Sequence, residues 1–320
     1  MKLGILGTSD IALRRFLPAL QKQKYFAYAG VATRNMSSPK VMQFKQQFGG
    51  DVYASYADLL ADDSIGAVYI PLPPALHYEW AKQALLAGKH VLLEKPFCTN
   101  IKDTEKLLDL AEQRHLAVHE NYMFLYHSQL AEIRKMLAAG ELGEIRLMRM
   151  AFGFPKRGEA DFRYNKELGG GALLDCGGYP VRLALELLGD STDVVQASLI
   201  QPLGYDVDLY GSAVLQNGND VNAQIAFGMD SAYKCELEIW GSEAALLASR
   251  IFTAGADYAP EVVVKTSSDE KKIQLEADDQ FLHSIERFAE KIEDRTVTDN
   301  ELILRQAQLV AQIREKGQMK

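Results

Sequence analysis

One lysine in this sequence stands where ligands gather. Lys95-Pro96 follows the run His90–Glu94, which reads as a buried strand, and in an open parallel sheet ligands bind beyond the carboxyl ends of strands. Lys95 offers a compact cation with rotatable donors, suited to negative charge that develops on a reacting oxygen. A second group lies near the N-terminus. Leu3-Gly4-Ile5-Leu6-Gly7-Thr8-Ser9-Asp10-Ile11-Ala12 sets a tight turn between a strand and a helix, the context a dinucleotide pyrophosphate needs. The three fingerprint positions fall on Gly7, Ser9 and Ala12; only the first is glycine, and an ordinary strand-to-helix turn shares that much. A third group ends the second strand, where Ala32-Thr33-Arg34-Asn35 precedes Ser37 and Ser38. An acidic residue there would hold the ribose hydroxyls of NAD. Arg34 instead suits a 2′-phosphate and can stack on adenine, and the Ser38 hydroxyl can donate to the same phosphate. The expected cofactor is NADP(H), although a lone Arg34 also fits a solvated loop.

The elements that carry these groups follow from periodicity. Leu3–Leu6, Ala27–Thr33, Ala67–Ile70, His90–Glu94 and Leu116–Glu120 read as strands. Between them Asp10 to about Lys22, Pro39–Phe48, His77–Ala87 and a helix capped by Thr99 and running to Arg114 read as helices. That alternation predicts βαβ units and a doubly wound, Rossmann-type parallel sheet over residues 1–120. Past residue 120 the texture changes. A helix at Gln129–Ala139 precedes a strand from Glu144 to Phe152, and a Gly-rich helix start follows near Gly169. Segments 193–240 and 244–275 then alternate as successive strands, with helices at Asp278–Lys291 and Asn300–Glu315. Residues 121–320 should form an α+β domain on a large, mainly antiparallel sheet, with the C-terminal helix free to pack back on the first domain.

Composition narrows the class. A chain of 320 residues suits two ordinary domains, and 48% apolar with 24% charged residues is globular. A net charge of −8 argues against a nucleic-acid binder, which would show a basic face. Cys98, Cys176 and Cys235 match no metal-ligand spacing, and His115 and His119 straddle a strand start, so no metal is expected. His77 reads as a capping or packing residue in that respect. The apolar run Leu3–Leu6 is too short for a signal-peptide core, and no stretch is long enough to span a bilayer. A soluble, cytoplasmic protein is expected.

On these residues the sequence resembles the Gfo/Idh/MocA oxidoreductases over almost its whole length. The resemblance rests on the N-terminal turn, on Tyr69-Ile70-Pro71-Leu72-Pro73 followed by His77, on Gly88-Lys89-His90-Val91-Leu92-Leu93-Glu94-Lys95-Pro96, and on Leu168-Gly169-Gly170-Gly171-Ala172-Leu173-Leu174-Asp175. It implies a nucleotide domain followed by a domain with an open-faced sheet, often an oligomer interface, and hence a homodimer or homotetramer. It also implies that Lys95 sits beside the nicotinamide and the reacting carbon. Members with the fuller pattern carry a histidine four residues after the aspartate that corresponds to Asp175. This chain has Tyr179 there, which is similar to the sugar-nucleotide 3-ketoreductases and the dimeric dihydrodiol dehydrogenases. Asp10–Leu20 and Glu120–Phe124 resemble the 3-ketoreductases most.

The implied catalytic pair is Lys95 and Tyr179. Hydride transfer to a ketone leaves charge on oxygen; a phenol with an ordinary pKa of about 10 becomes a usable proton donor beside an ammonium. Four-residue spacing puts Asp175 on the helix face of Tyr179, where it can hold a substrate hydroxyl or Lys95. Both also fit quieter roles, Tyr179 in a core and Asp175 as an N-terminal carboxylate. By carry-over His127 and Gln129 face the substrate. The expected cofactor set is Gly7, Thr8, Ser9, Asp10, Ile11, Thr33, Arg34, Ser38, Leu72, His77, Glu94, Lys95, Asn121 and Arg163, the last of which is equally at home in a solvated loop. The expected activity is NADP(H)-dependent reduction of a keto group on a sugar or sugar nucleotide. An aldose or trans-dihydrodiol dehydrogenase uses the same site in reverse, and a non-catalytic NADP-binding redox sensor would need the turn and Arg34 but no proton donor.

Overall fold

Short, mostly apolar strands build the first sheet. In the computed structural model, which describes residues 1–317, six strands run β1 (Lys2–Leu6), β2 (Ala27–Ala32), β3 (Asp51–Tyr53), β4 (Ile65–Ile70), β5 (His90–Leu93) and β6 (Val118–Glu120). Their order is β3-β2-β1-β4-β5-β6 and every pair is parallel. Val68, Tyr69, Ile70 and Val91–Leu93 are buried, as strands covered on both faces must be. The order reverses between β1 and β4, the switch point at which this architecture binds ligands.

The helices of this unit are α1 (Leu17–Leu20), α2 (Pro39–Phe48), α3 (Tyr56–Leu60), α4 (His77–Leu86) and α5 (Ile101–Arg114). A five-residue π-helical turn, Ala12–Phe16, leads into α1. The cap of α5 is Asn100, whose side chain accepts from the Asp103 amide, and not Thr99 as expected. Asn reaches the free amides of a first turn as well as Thr does, and here it stands one residue closer. The strand β3 and the helix α3 were not foreseen; at three and five residues neither holds a full period. One compact unit comprises Met1–Asn121 and Phe281–Leu304.

The second unit, Tyr122–Gln280 with residues from Arg305 onward, is built on eight strands. These are β7 (Ile145–Gly153), β8 (Asp193–Ile200), β9 (Tyr210–Gln216), β10 (Asn222–Gly228), β11 (Lys234–Gly241), β12 (Ala245–Ser249), β13 (Glu261–Lys265) and β14 (Glu270–Gln274). The order is β14-β13-β12-β11-β7-β10-β9-β8, antiparallel except where β7 meets β10. Helices α6 (Ser128–Ala138) and α7 (Gly178–Leu188) belong to it, and α7 packs on β7 and β10. The opposite face is open and carries Arg149, Gln224, Glu236, Glu238, Trp240 and Leu247. The remaining helices are α8 (Gln280–Glu293) and α9 (Asn300–Lys316). Among the described residues no helix is long and apolar enough to cross a membrane.

Candidate cofactor and active site

Gly7 makes the turn after β1 with φ +102°, and its amide donates to the Ala32 carbonyl at 2.9 Å. A Cβ there would lie 2.7 Å from a Leu72 methyl in a backbone conformation that side chains avoid, so only glycine fits. Ser9, at the position usually held by the second glycine, accepts from the Ala12 amide through Oγ at 3.2 Å. It thus caps the helical turn that follows. Asp10 is exposed and paired with Lys40 at 2.9 Å, while Thr8 and Ile11 are half-buried on the turn.

The loop after β2 is a knot of short bonds. Thr33 Oγ1 accepts from the Asn35 amide and Asn35 Oδ1 accepts from the Ser37 amide, both at 3.1 Å. The knot holds Arg34 outward over the Tyr56 ring, 5.8 Å from its centroid. An exposed guanidinium on a fixed loop beside the pyrophosphate turn suits a 2′-phosphate, and the partly buried Ser38 follows it.

Glu94-Lys95-Pro96 leaves the carboxyl end of β5 between two buried side chains. The Phe97 amide donates to Glu120 Oε1 at 2.7 Å. The His77 ring lies between two backbone carbonyls, with Nδ1 2.8 Å from Pro96 O and Nε2 2.8 Å from Leu72 O. Two acceptors favour a second proton on the ring, yet burial outweighs them and, with the Lys95 ammonium adding, lowers its pKa to about 4. Glu94 Oε1 accepts from Tyr69 Oη and from Asn121 Nδ2, each at 2.6 Å. Burial raises the Glu94 pKa, against the pull of these donors and of Lys95.

The second unit holds the other candidates. Gly170 and Gly171 lie against the loop that carries Arg163; their amides donate to the carbonyls of Asn165 and Arg163 at 2.9 Å. That close approach aims Arg163 Nε at Asp175 Oδ2, 2.7 Å away, with Asp161 as its second partner at 3.1 Å. The two carboxylates hold the guanidinium charged despite the cost of burial. Asp175 lies in a five-residue π-helical turn, Leu173–Gly177, that runs into α7, a local form common at functional sites. Tyr179 follows in the first turn of α7. The residue is 6% exposed, and its ring is boxed by Phe152, Tyr122, Phe124 and Phe252, with centroids 5.0 to 5.8 Å away.

Four of the expected contacts lie deep in the fold. His77 and Gln129 are 0% exposed, and Asn121 and His127 are 1% exposed. His77 ties two loops together, and Asn121 stands behind Glu94. His127 Nδ1 accepts from the Gln129 amide at 3.1 Å and caps α6. Sequence reasoning missed Tyr69, Glu120 and Asp208. Asp208 Oδ2 accepts from the Leu173 amide at 2.7 Å and so caps the turn that bears Asp175. No pattern marks it, because it lies in a loop far along the chain.

Comparison with known proteins bears on what such halves do. The family model for the Gfo/Idh/MocA oxidoreductase family, NAD-binding Rossmann fold, matches residues 1–122, and that for the Gfo/Idh/MocA C-terminal domain matches residues 130–247. This chain belongs to that oxidoreductase family. A dTDP-3,4-didehydro-2,6-dideoxy-alpha-D-glucose 3-reductase of Actinomadura kijaniata is 40% identical to the family member described here, over 98% of this chain and 95% of its own. A solved 3-ketoreductase from the same organism, in complex with NADP and TDP-benzene, superposes with a TM-score of 0.94 at 39% identity, over 99% of this chain and 97% of its own. Forms of that enzyme with one lysine changed to alanine, or one tyrosine to phenylalanine, have also been solved. More distantly, an NADP-dependent D-xylose 1-dehydrogenase of Haloferax volcanii is 31% identical over 92% of this chain and 89% of its own.

Proposed function

We propose that this protein is an NADPH-dependent 3-ketoreductase acting on a dTDP-linked deoxysugar. The full-length similarity to 3-reductases of such sugars carries the reading. The lysine and tyrosine replaced in the Actinomadura kijaniata enzyme are as many residues apart as Lys95 and Tyr179, which supports these two as the catalytic pair. Gly7 and the exposed Arg34 fit a 2′-phosphorylated dinucleotide. When bound, that cofactor supplies the hydride.

The chain's own groups then manage charge. Lys95 polarises the carbonyl and orients a ribose hydroxyl, Tyr179 gives its phenolic proton to the alkoxide, and Asp175, locked by Arg163, holds a sugar hydroxyl. The D-xylose dehydrogenase relative favours a second reading, oxidation of an aldose with NADP through the same groups. Purified protein mixed with NADPH and dTDP-3-keto sugars should consume NADPH, and with NADP and free aldoses it should not. Turnover of aldoses alone selects the second reading. Cofactor binding without turnover of either class would make the protein a redox sensor and end both.

The assembly we propose is a homodimer or homotetramer through the open sheet face, where Trp240 and Leu247 stand 53% and 45% exposed. Leu247→Glu should then lower the mass seen by light scattering. Three buried free cysteines suit a reducing cytoplasm.

A further inference from the structure

Behind Glu94 runs a buried relay that reaches a helix from the far end of the sequence. His119 Nε2 lies 2.9 Å from Ser284 Oγ, and Ser284 Oγ lies 2.8 Å from Asn121 Oδ1. An amide oxygen only accepts, so the serine proton points at Asn121, and His119 must donate to the serine. This fixes the Asn121 carboxamide with Nδ2 toward Glu94 Oε1 at 2.6 Å. Tyr69 Oη donates to the same oxygen, and its ring stacks on Phe16 of the nucleotide turn's helix with centroids 3.8 Å apart. Tyr69, His119 and Ser284 are fully buried and Asn121 nearly so.

We propose that Ser284 on α8 is a positioning residue for the Glu94–Lys95 segment. Its hydroxyl fixes the Asn121 amide, and that amide fixes the Glu94 carboxylate beside Lys95. Without Ser284 the Asn121 amide has two orientations, one of which sets its oxygen against Glu94. Burial raises the Glu94 pKa and both donors pull against it, so loss of either donor raises it further. The groups that face it are the Tyr69 hydroxyl from β4, the Asn121 amide after β6 and the neighbouring Lys95 ammonium.

The inference rests on the reading of Lys95 as catalytic, and the test separates the two. Ser284→Ala removes one oxygen at a site that needs no new volume. Its kcat with NADPH should fall roughly 10-fold while the KM for the sugar stays within about twofold, and the acid limb of kcat/KM should move up by about one pH unit. Tyr69→Phe should move the limb in the same direction, and Ser284→Cys, a weaker donor, should fall between. If Ser284→Ala proves too unstable to assay, Ser284→Cys reads the same limb. A lower melting temperature with kcat and the limb unchanged makes Ser284 a packing residue and overturns the proposal. Full activity in Lys95→Ala would instead remove the catalytic reading on which it stands.

Discussion

A lysine and a tyrosine that share a reaction should fail in different ways. Lys95→Ala removes the cation at the end of β5 and should cut kcat/KM by roughly 100- to 10,000-fold. Tyr179→Phe keeps the ring in its aromatic box and removes only the proton donor. It should lose kcat with NADPH affinity by fluorescence titration almost unchanged; equal loss of affinity would mean that the hydroxyl serves binding or folding and not proton transfer. Arg34 acts on binding alone. Its guanidinium, held outward by the Thr33–Asn35 knot, should discriminate the 2′-phosphate, so Arg34→Ala should raise the KM for NADPH roughly 10- to 100-fold and leave that for NADH nearly constant.

At the scale of elements, most of the first sheet was legible because its central strands are mostly apolar runs separated by amphipathic helices. Pro39–Phe48 was read with both ends correct, since Pro at the first turn and Gly49 after the last mark them. Asp51–Tyr53 and Tyr56–Leu60 were not read, for want of a period. Of the proposed site, the sequence marks what backbone geometry forces, as at Gly7, and what a strand end presents, as at Lys95. It was illegible where burial decides. The deep burial of Asn121, His127 and Gln129 is not marked by the motifs that hold them, and Ser284 and Asp208 bond to residues far along the chain that no local spacing encodes. The glycines before Asp175 make a testable case. A Cβ at Gly170 would overlap the Arg163 carbonyl oxygen, which backbone cannot yield cheaply. Gly170→Ala should cost about 1–3 kcal/mol in chemical denaturation and, by loosening Arg163 from Asp175, raise the KM for the sugar. A loss of stability with that KM unmoved would confine Gly170 to packing.

For the whole molecule, the buried His77 and the half-buried His90 contribute to how stability responds to acid. His90 Nδ1 accepts the Ala117 amide at 2.9 Å, a bond that only the neutral ring can make. Burial, with Arg295 adding, lowers its pKa from 6.5 to about 4, and His77 is lowered to about 4 as well. Between those values the unfolded chain takes up protons that the folded chain refuses, so stability rises with pH across the window. The contribution is fully present above about 6.5 and is lost as pH falls toward 4. Glu94 and Asp208, raised by burial, work with the opposite sign, because the folded chain holds their protons longer. A single melting curve therefore mixes both. His90→Asn isolates one, since an amide oxygen can take the place of Nδ1 without titrating. The drop in Tm between pH 7 and pH 5 should be roughly 2–4 °C smaller in His90→Asn than in the parent, once partial exposure is allowed for. Identical drops would mean that the His90 ring is protonated in the folded chain and that the Ala117 bond does not hold it neutral.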